Sequence, residues 1–136
     1  VDAGFCYKTA SNSNYYTYTM SSTTGTFSFN INCSSTSVPL RVACAWDVMS
    51  TGDYETPGDT YITDYHLYIY KNGVPVGTST SLANTGTGAR TNYEIIELSP
   101  STLRTYGTGT YQIKVSRNGS FVGTESVKLG VAWGQR

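Results

Sequence analysis

Pro39-Leu40-Arg41-Val42-Ala43-Cys44-Ala45-Trp46-Asp47 is the stretch that settles the class of fold. Leu40, Val42, Cys44 and Trp46 fall on one side of a period-two strand, and Arg41, Ala43, Ala45 and Asp47 on the other, because successive side chains of an extended chain point to opposite faces. The apolar side is the buried one, and the segment reads as the central strand of a β-sandwich. Val127 to Trp133 repeats the pattern, with Val127, Leu129, Val131 and Trp133 on one face. Both strands carry an Ala-Trp pair, Ala45-Trp46 and Ala132-Trp133, and so each brings a large apolar anchor to one core. The expectation is that the two tryptophan strands meet face to face.

A chain of 136 residues is one domain by size, residues 1–136, and long enough to bury roughly two-thirds of its unfolded surface. Charged residues are 13% of it, about half the usual share, while hydroxyl and amide side chains abound. That is the composition of an all-β extracellular domain, expected at the cell surface or secreted. A net charge of zero removes the basic footprint that nucleic-acid binding requires. No apolar run reaches the length of a membrane span, and no signal peptide opens the chain, so a secreted protein is expected to stand here in mature or excised form.

Taken in order, the chain reads as about nine strands after a short opening run at Gly4 to Tyr7: Tyr15 to Met20, Thr26 to Asn32, the Pro39 strand, Tyr61 to Lys71, Val74 to Ser79, Asn92 to Leu98, Gly109 to Arg117, Ser120 to Thr124 and the last strand. Asn72-Gly73 and Asn118-Gly119 are two-residue hairpin signals, because each needs positive φ that these residues tolerate. Adjacent Ile95 and Ile96 predict a strand buried on both faces, and Ser99 to Gly107 reads as a bridge. Val48 to Thr60 is the longest irregular connection and the natural place for function. The whole predicts an antiparallel β-sandwich, jelly-roll-like, with no long amphipathic helix.

Three cysteines cannot all pair within one chain. Cys44 lies on the apolar face as a small hydrophobe. Cys6 and Cys33 remain, and a disulfide or two reduced thiols satisfy the sequence equally. Asp47, Asp53, Glu55, Asp59, Asp64 and Glu94 gather in or beside the long loop. Of these, Asp47, Asp59, Asp64 and Glu94 are the candidate calcium ligands, since a hard cation takes several converging oxygens; solvated turn residues are the plainer reading. Twelve tyrosines raise a glycan site, with Tyr54, Tyr61, Tyr68 and Tyr70 as its candidates. Tyrosine is also an ordinary strand residue with a wettable tip. No Gly-x-Ser-x-Gly elbow occurs, and the lone histidine, His66, sits mid-strand among tyrosines, so no catalytic residue is assigned.

The order of motifs resembles a known family. Val42 to Trp46, Thr63-Asp64-Tyr65-His66-Leu67-Tyr68-Ile69-Tyr70, Asn92-Tyr93-Glu94-Ile95-Ile96-Glu97, Gly109-Thr110-Tyr111-Gln112-Ile113-Lys114-Val115 and the closing Ala132-Trp133 are similar to the C-terminal β-sandwich that follows the catalytic domain in secreted subtilisin-like serine peptidases. In outline that sandwich is like the P-domain of proprotein convertases and the bacterial pre-peptidase C-terminal domain. The likeness covers about Leu40 to Trp133. The family often has Asp-Leu-Asp-Leu where this chain has Asp64-Tyr65-His66-Leu67, so His66 replaces an acid that would have supported a cation site. The resemblance implies a non-catalytic accessory domain, a monomer, whose partner is a protease catalytic domain in cis. A carbohydrate-binding module or an adhesin-type surface module, with a glycan or protein ligand, is the alternative.

Overall fold

A computed structural model describes residues 14–47, 62–80, 92–123 and 125–135. Within them the chain forms β1 (Tyr15–Met20), β2 (Thr26–Cys33), β3 (Leu40–Trp46), β4 (Asp64–Lys71), β5 (Val74–Ser79), β6 (Tyr93–Leu98), the helix α1 (Pro100–Tyr106), β7 (Gly109–Asn118) and β8 (Val127–Gln135). Eight strands make two four-stranded sheets, the first in the order β1-β8-β3-β6 and the second β2-β7-β4-β5. Every pairing is antiparallel. The expected opening strand at Gly4 to Tyr7 and the loop Val48 to Thr60 lie outside the described residues.

β3 alternates as the sequence predicts, with Leu40, Val42, Cys44 and Trp46 buried. Across the sandwich they meet Tyr65, Leu67 and Ile69 of β4 and Tyr111, Ile113 and Val115 of β7, all inside one core. A fully buried Leu, Ile or Val is worth about 1.5–3 kcal/mol against the same side chain in water. The two tryptophans, however, do not face each other. β3 and β8 are neighbours in the first sheet, with Val42 opposite Trp133 and Trp46 opposite Leu129. Matching alternation says only that two strands bury the same side, and neighbours in one sheet satisfy that as well as facing strands do. Trp46 is buried, edge-on to Tyr65 at 5.3 Å, and its indole N–H donates to Thr63 O at 3.0 Å. Trp133 is partly buried and tilts onto Phe29 at 5.3 Å.

The sandwich closes differently along its two sides. Where β1 lies over β2, Tyr16 stacks on Phe29 and Tyr18 on Phe27, each pair 4.6 Å apart and 16° from parallel. Where β5 approaches β6, Gly77 lets the sheets come close, for a Cβ there would sit 2.9 Å from both Ile96 Cγ2 and Leu98 Cδ2. The β2–β3 connection is fastened by one side chain. Gln135 Oε1 accepts from the backbone N–H groups of Ser34 and Ser35, at 2.9 and 3.1 Å, and its Nε2 donates to Ser35 O and Val38 O, at 2.6 and 3.0 Å.

Four sequence expectations change here, the tryptophan pairing being the first. β6 is an edge strand, and Ile95 is 60% exposed, because period two turns Glu94, Ile96 and Leu98 inward and Ile95 out. Ser99 to Gly107 holds α1 rather than an irregular bridge. Ser99 caps it, accepting from Thr102 N–H, Pro100 opens its first turn, and Gly107 at φ 84 ends it. With Leu103 its one buried residue, the helix shows no apolar period to read. Last, Ser120 to Gly123 is not a strand. Asn72 and Gly73 both take positive φ, 51 and 78, and turn β4 into β5 as a hairpin, but of Asn118 and Gly119 only Gly119 does, at 76. The chain then peels away, and Val122 N–H donates to Thr63 Oγ1 instead of a sheet partner.

Candidate functional site: an apolar trough on the first sheet

The acids singled out from the sequence hold separate partners. Asp47, exposed at the end of β3, accepts Lys128 N–H at 2.8 Å. Asp64 Oδ2 accepts Asn118 Nδ2–H at 2.9 Å and lies 3.1 Å from His66 Nε2. Glu94 points into the core, 2% exposed, where the Ser79 hydroxyl donates to it. Among the described residues no three His, Cys, Asp or Glu side chains come together. Asp59, Asp53 and Glu55 lie outside the described residues.

The same holds for half of the tyrosine set: Tyr54 and Tyr61 are not described, while Tyr68 and Tyr70 stand half-buried on the outer face of the second sheet. Their rings are 6.4 Å apart, beside Lys114 and Gln112 on the neighbouring β7, with Ser28 and Asn30 next on β2. His66 shares this face, its Nδ1 3.4 Å from the Tyr68 hydroxyl. Cys33 is buried, its thiol 3.4 Å from Ser35 O, and Cys6 is outside the described residues. Burial, then the charge of Glu94, pushes the Cys44 thiol up to about 12, which keeps it protonated and unreactive.

Inside the sandwich, the remaining polar groups serve the fold. Lys71 is buried, donates to Thr108 O at 2.8 Å and Thr110 O at 3.3 Å, and lies over the Tyr111 ring at 4.7 Å. Tyr111 donates its hydroxyl to Gly107 O at 2.7 Å.

The outer face of the first sheet is different. Outward positions of a wetted sheet ordinarily carry polar side chains, yet here the two central strands present Ala43 and Ala45 on β3 and Gly130 and Ala132 on β8. These small residues make a floor. The edge strands raise walls on either side: Tyr15 on β1, 57% exposed, and Tyr93 and Ile95 on β6, 54% and 60% exposed. In register, Tyr15, Ala132, Ala43 and Ile95 form one row across the sheet, and Thr17, Gly130, Ala45 and Tyr93 the next. The result is a trough of about 300 Å³ lined almost wholly by carbon. Among the described residues, charges stand at its ends. Arg41 Nε pairs with Glu97 at 2.6 Å at one, and Asp47 and Lys128 stand at the other. An apolar centre with a charged rim is how protein contact surfaces are built.

Gly130 is the informative floor residue. A Cβ added to it meets no atom within 4 Å. A mid-strand glycine weakens a strand, and a close approach by a ligand or another backbone is one of the uses that offsets the loss. The sequence assigns none of the trough residues to a site. The legible signal was the run of Ala and Gly at outward positions of both tryptophan strands.

No family model and no curated protein matches the sequence. Solved structures do match. The VP2 subviral particle of infectious bursal disease virus is similar at 18% identity over 87% of this chain and 29% of that chain, with a TM-score of 0.38. The pre-peptidase C-terminal domain of a collagenase from Bacillus anthracis is similar over 88% of this chain and 87% of that chain, with a TM-score of 0.52 and 6% identity. The likeness at that identity is one of fold: the chain is a β-sandwich similar to a pre-peptidase C-terminal domain.

Proposed function

We propose that this chain is a non-catalytic accessory domain of a secreted peptidase, and that it works by contact with another folded surface. Its effect on the parent is to assist folding and lengthen the thermal lifetime of the catalytic domain, with substrate docking as a second service. The observation that carries the reading is the contrast between interior and surface. Lys71, Glu94 and Asp64 all hold partners within the fold, while Tyr15, Tyr93 and Ile95, large and exposed, are gathered over one trough. Likeness to a domain appended to a collagenase supports an appended role. A subtilisin-like serine peptidase is the parent we favour, on the order of motifs from Leu40 to Trp133. Deleting this domain from the full parent is expected to lower folding yield and shorten the half-life on heating. Unchanged yield and half-life sink the reading.

One observation favours a second reading, a glycan-binding face. Tyr68 and Tyr70 stand in a row of hydroxyl and amide side chains on the second sheet, and sugars stack on aromatic rings while bonding to such groups. Titration with soluble polysaccharide tests it, with saturable binding lost in Tyr68→Ala and Tyr70→Ala. Calcium on Asp47, Asp59, Asp64 and Glu94 is tested by melting with and without chelator, since a site at a hundred times its Kd adds about 2.7 kcal/mol.

A further inference from the structure

We propose that the trough joins two copies of this chain about a two-fold axis that crosses β3 at Cys44, perpendicular to the strands. This names the partner of the contact face proposed above and rests on that reading. A two-fold interface needs a surface complementary to itself, and the outward residues of β3 provide it. Arg41 lies three positions before Cys44 and Asp47 three positions after, on the same face. The rotation lays each strand over its own counterpart, reversed. Asp47 of each copy then stands over Arg41 of the other, so two opposite-charge contacts close the ends.

The middle matches in the same way. Register places Ala43 beside Ala132 and Ile95, and Ala45 beside Gly130 and Tyr93. Rotation therefore sets Ala43 over Ala45, Ala132 over Gly130 and Ile95 over Tyr93, small on small and large on large. Tyr15 falls over Thr17, leaving the Tyr15 rings of both copies room to lean across the two small-residue floors. That explains the open space above Gly130. A carbon lining gives a glycan's hydroxyls nothing to bond, and a net charge of zero does not repel a second copy.

Four strands about 4.8 Å apart and seven residues of about 3.3 Å each make a face of about 19 by 23 Å, roughly 440 Å² in projection. That is about half of the roughly 800 Å² per partner of a standard interface, so a weak dimer is expected. Sedimentation equilibrium on this chain from about 10 µM to about 1 mM should show the mass rising from monomer towards dimer. Gly130→Gln sets a side chain into the trough from a Cβ that meets no atom within 4 Å, and should weaken association at least about tenfold with the Tm kept. Arg41→Asp and Asp47→Arg should each be monomeric alone, and a one-to-one mixture should associate, because its two end contacts become opposite-charge again. A monomer throughout overturns the proposal, and so does association indifferent to Gly130→Gln or a mixture as monomeric as its components. A monomeric domain whose deletion still shortens the parent's lifetime leaves the accessory reading standing. A dimer whose deletion changes nothing removes the accessory reading alone.

Discussion

Tyr16 lies flat against Phe29, ring centroids 4.6 Å apart and planes 16° from parallel, and the contact joins the edge strand of one sheet to the edge strand of the other. Beside it Tyr18 repeats the arrangement on Phe27. Among the described residues the open side of the sandwich is thus sealed by rings. Phe29→Ala is expected to cost about 3 kcal/mol in urea unfolding. A double-mutant cycle with Tyr16→Ala should return a coupling of about 0.5–1.5 kcal/mol. Coupling near zero would mean that the stack carries area alone.

Two glycines on facing sheets should respond oppositely to the same substitution. Gly77→Ala drives a methyl to within 2.9 Å of Ile96 and Leu98, and about 1–3 kcal/mol of overpacking is expected. Gly130→Ala meets nothing and relieves the unfolded chain of glycine's extra freedom, so no loss, or a gain of up to about 1 kcal/mol, is expected. Paired thermal melts check both.

Gln135 engages backbone groups of Ser34, Ser35 and Val38 with both ends of its amide. Gln135→Glu replaces the two donors with an oxygen facing Ser35 O and Val38 O. A loss of about 1–3 kcal/mol is expected, since two part-buried acceptors are left unmet and a charge is set against them. Gln135→Leu should cost less than the charged variant if this account holds, and equal losses would refute it.

Stability should be flat from neutral pH to about 9 and fall beyond it. Burial pushes Cys44 from 9.0, and Tyr65 from 10.0, up to about 12. Both groups are neutral when protonated, so the fold holds their protons more tightly than the unfolded chain does. Their contribution is therefore complete below the unfolded values and is lost as pH rises through the folded ones. Urea midpoints between pH 7 and pH 11.5 measure this, and Cys44→Ala with Tyr65→Phe should flatten the fall. At pH 7 Tyr65→Phe should cost nothing or stabilise, because the hydroxyl is buried with no hydrogen-bond partner among the described residues.

What the sequence disclosed followed from period two. The buried sides of β2, β3, β4, β7 and β8, and the Asn72-Gly73 hairpin, were legible because alternation and turn chemistry are local. Partnership between strands was not: nothing local says whether Trp133 faces Trp46 or lies one strand over. Ile95 misled because an adjacent apolar pair reads as burial, whereas its exposure serves a wall. For the same reason the trough escaped notice. It is made of absences, four small residues where a solvated sheet would carry polar ones, and its walls come from strands far apart in the chain.

The position of β8 has a consequence for how the molecule is made. The last strand in sequence is inserted between β1 and β3, and Tyr15 finds its neighbour only at Ala132. A chain emerging from a ribosome or threading a pore therefore carries β1 unpaired until β8 has followed it, although β2 and β3 already have β7 and β6. Closure of the first sheet waits on β8, and a nick before Val127 would leave β1 with no neighbour and β3 with one bare flank among the described strands.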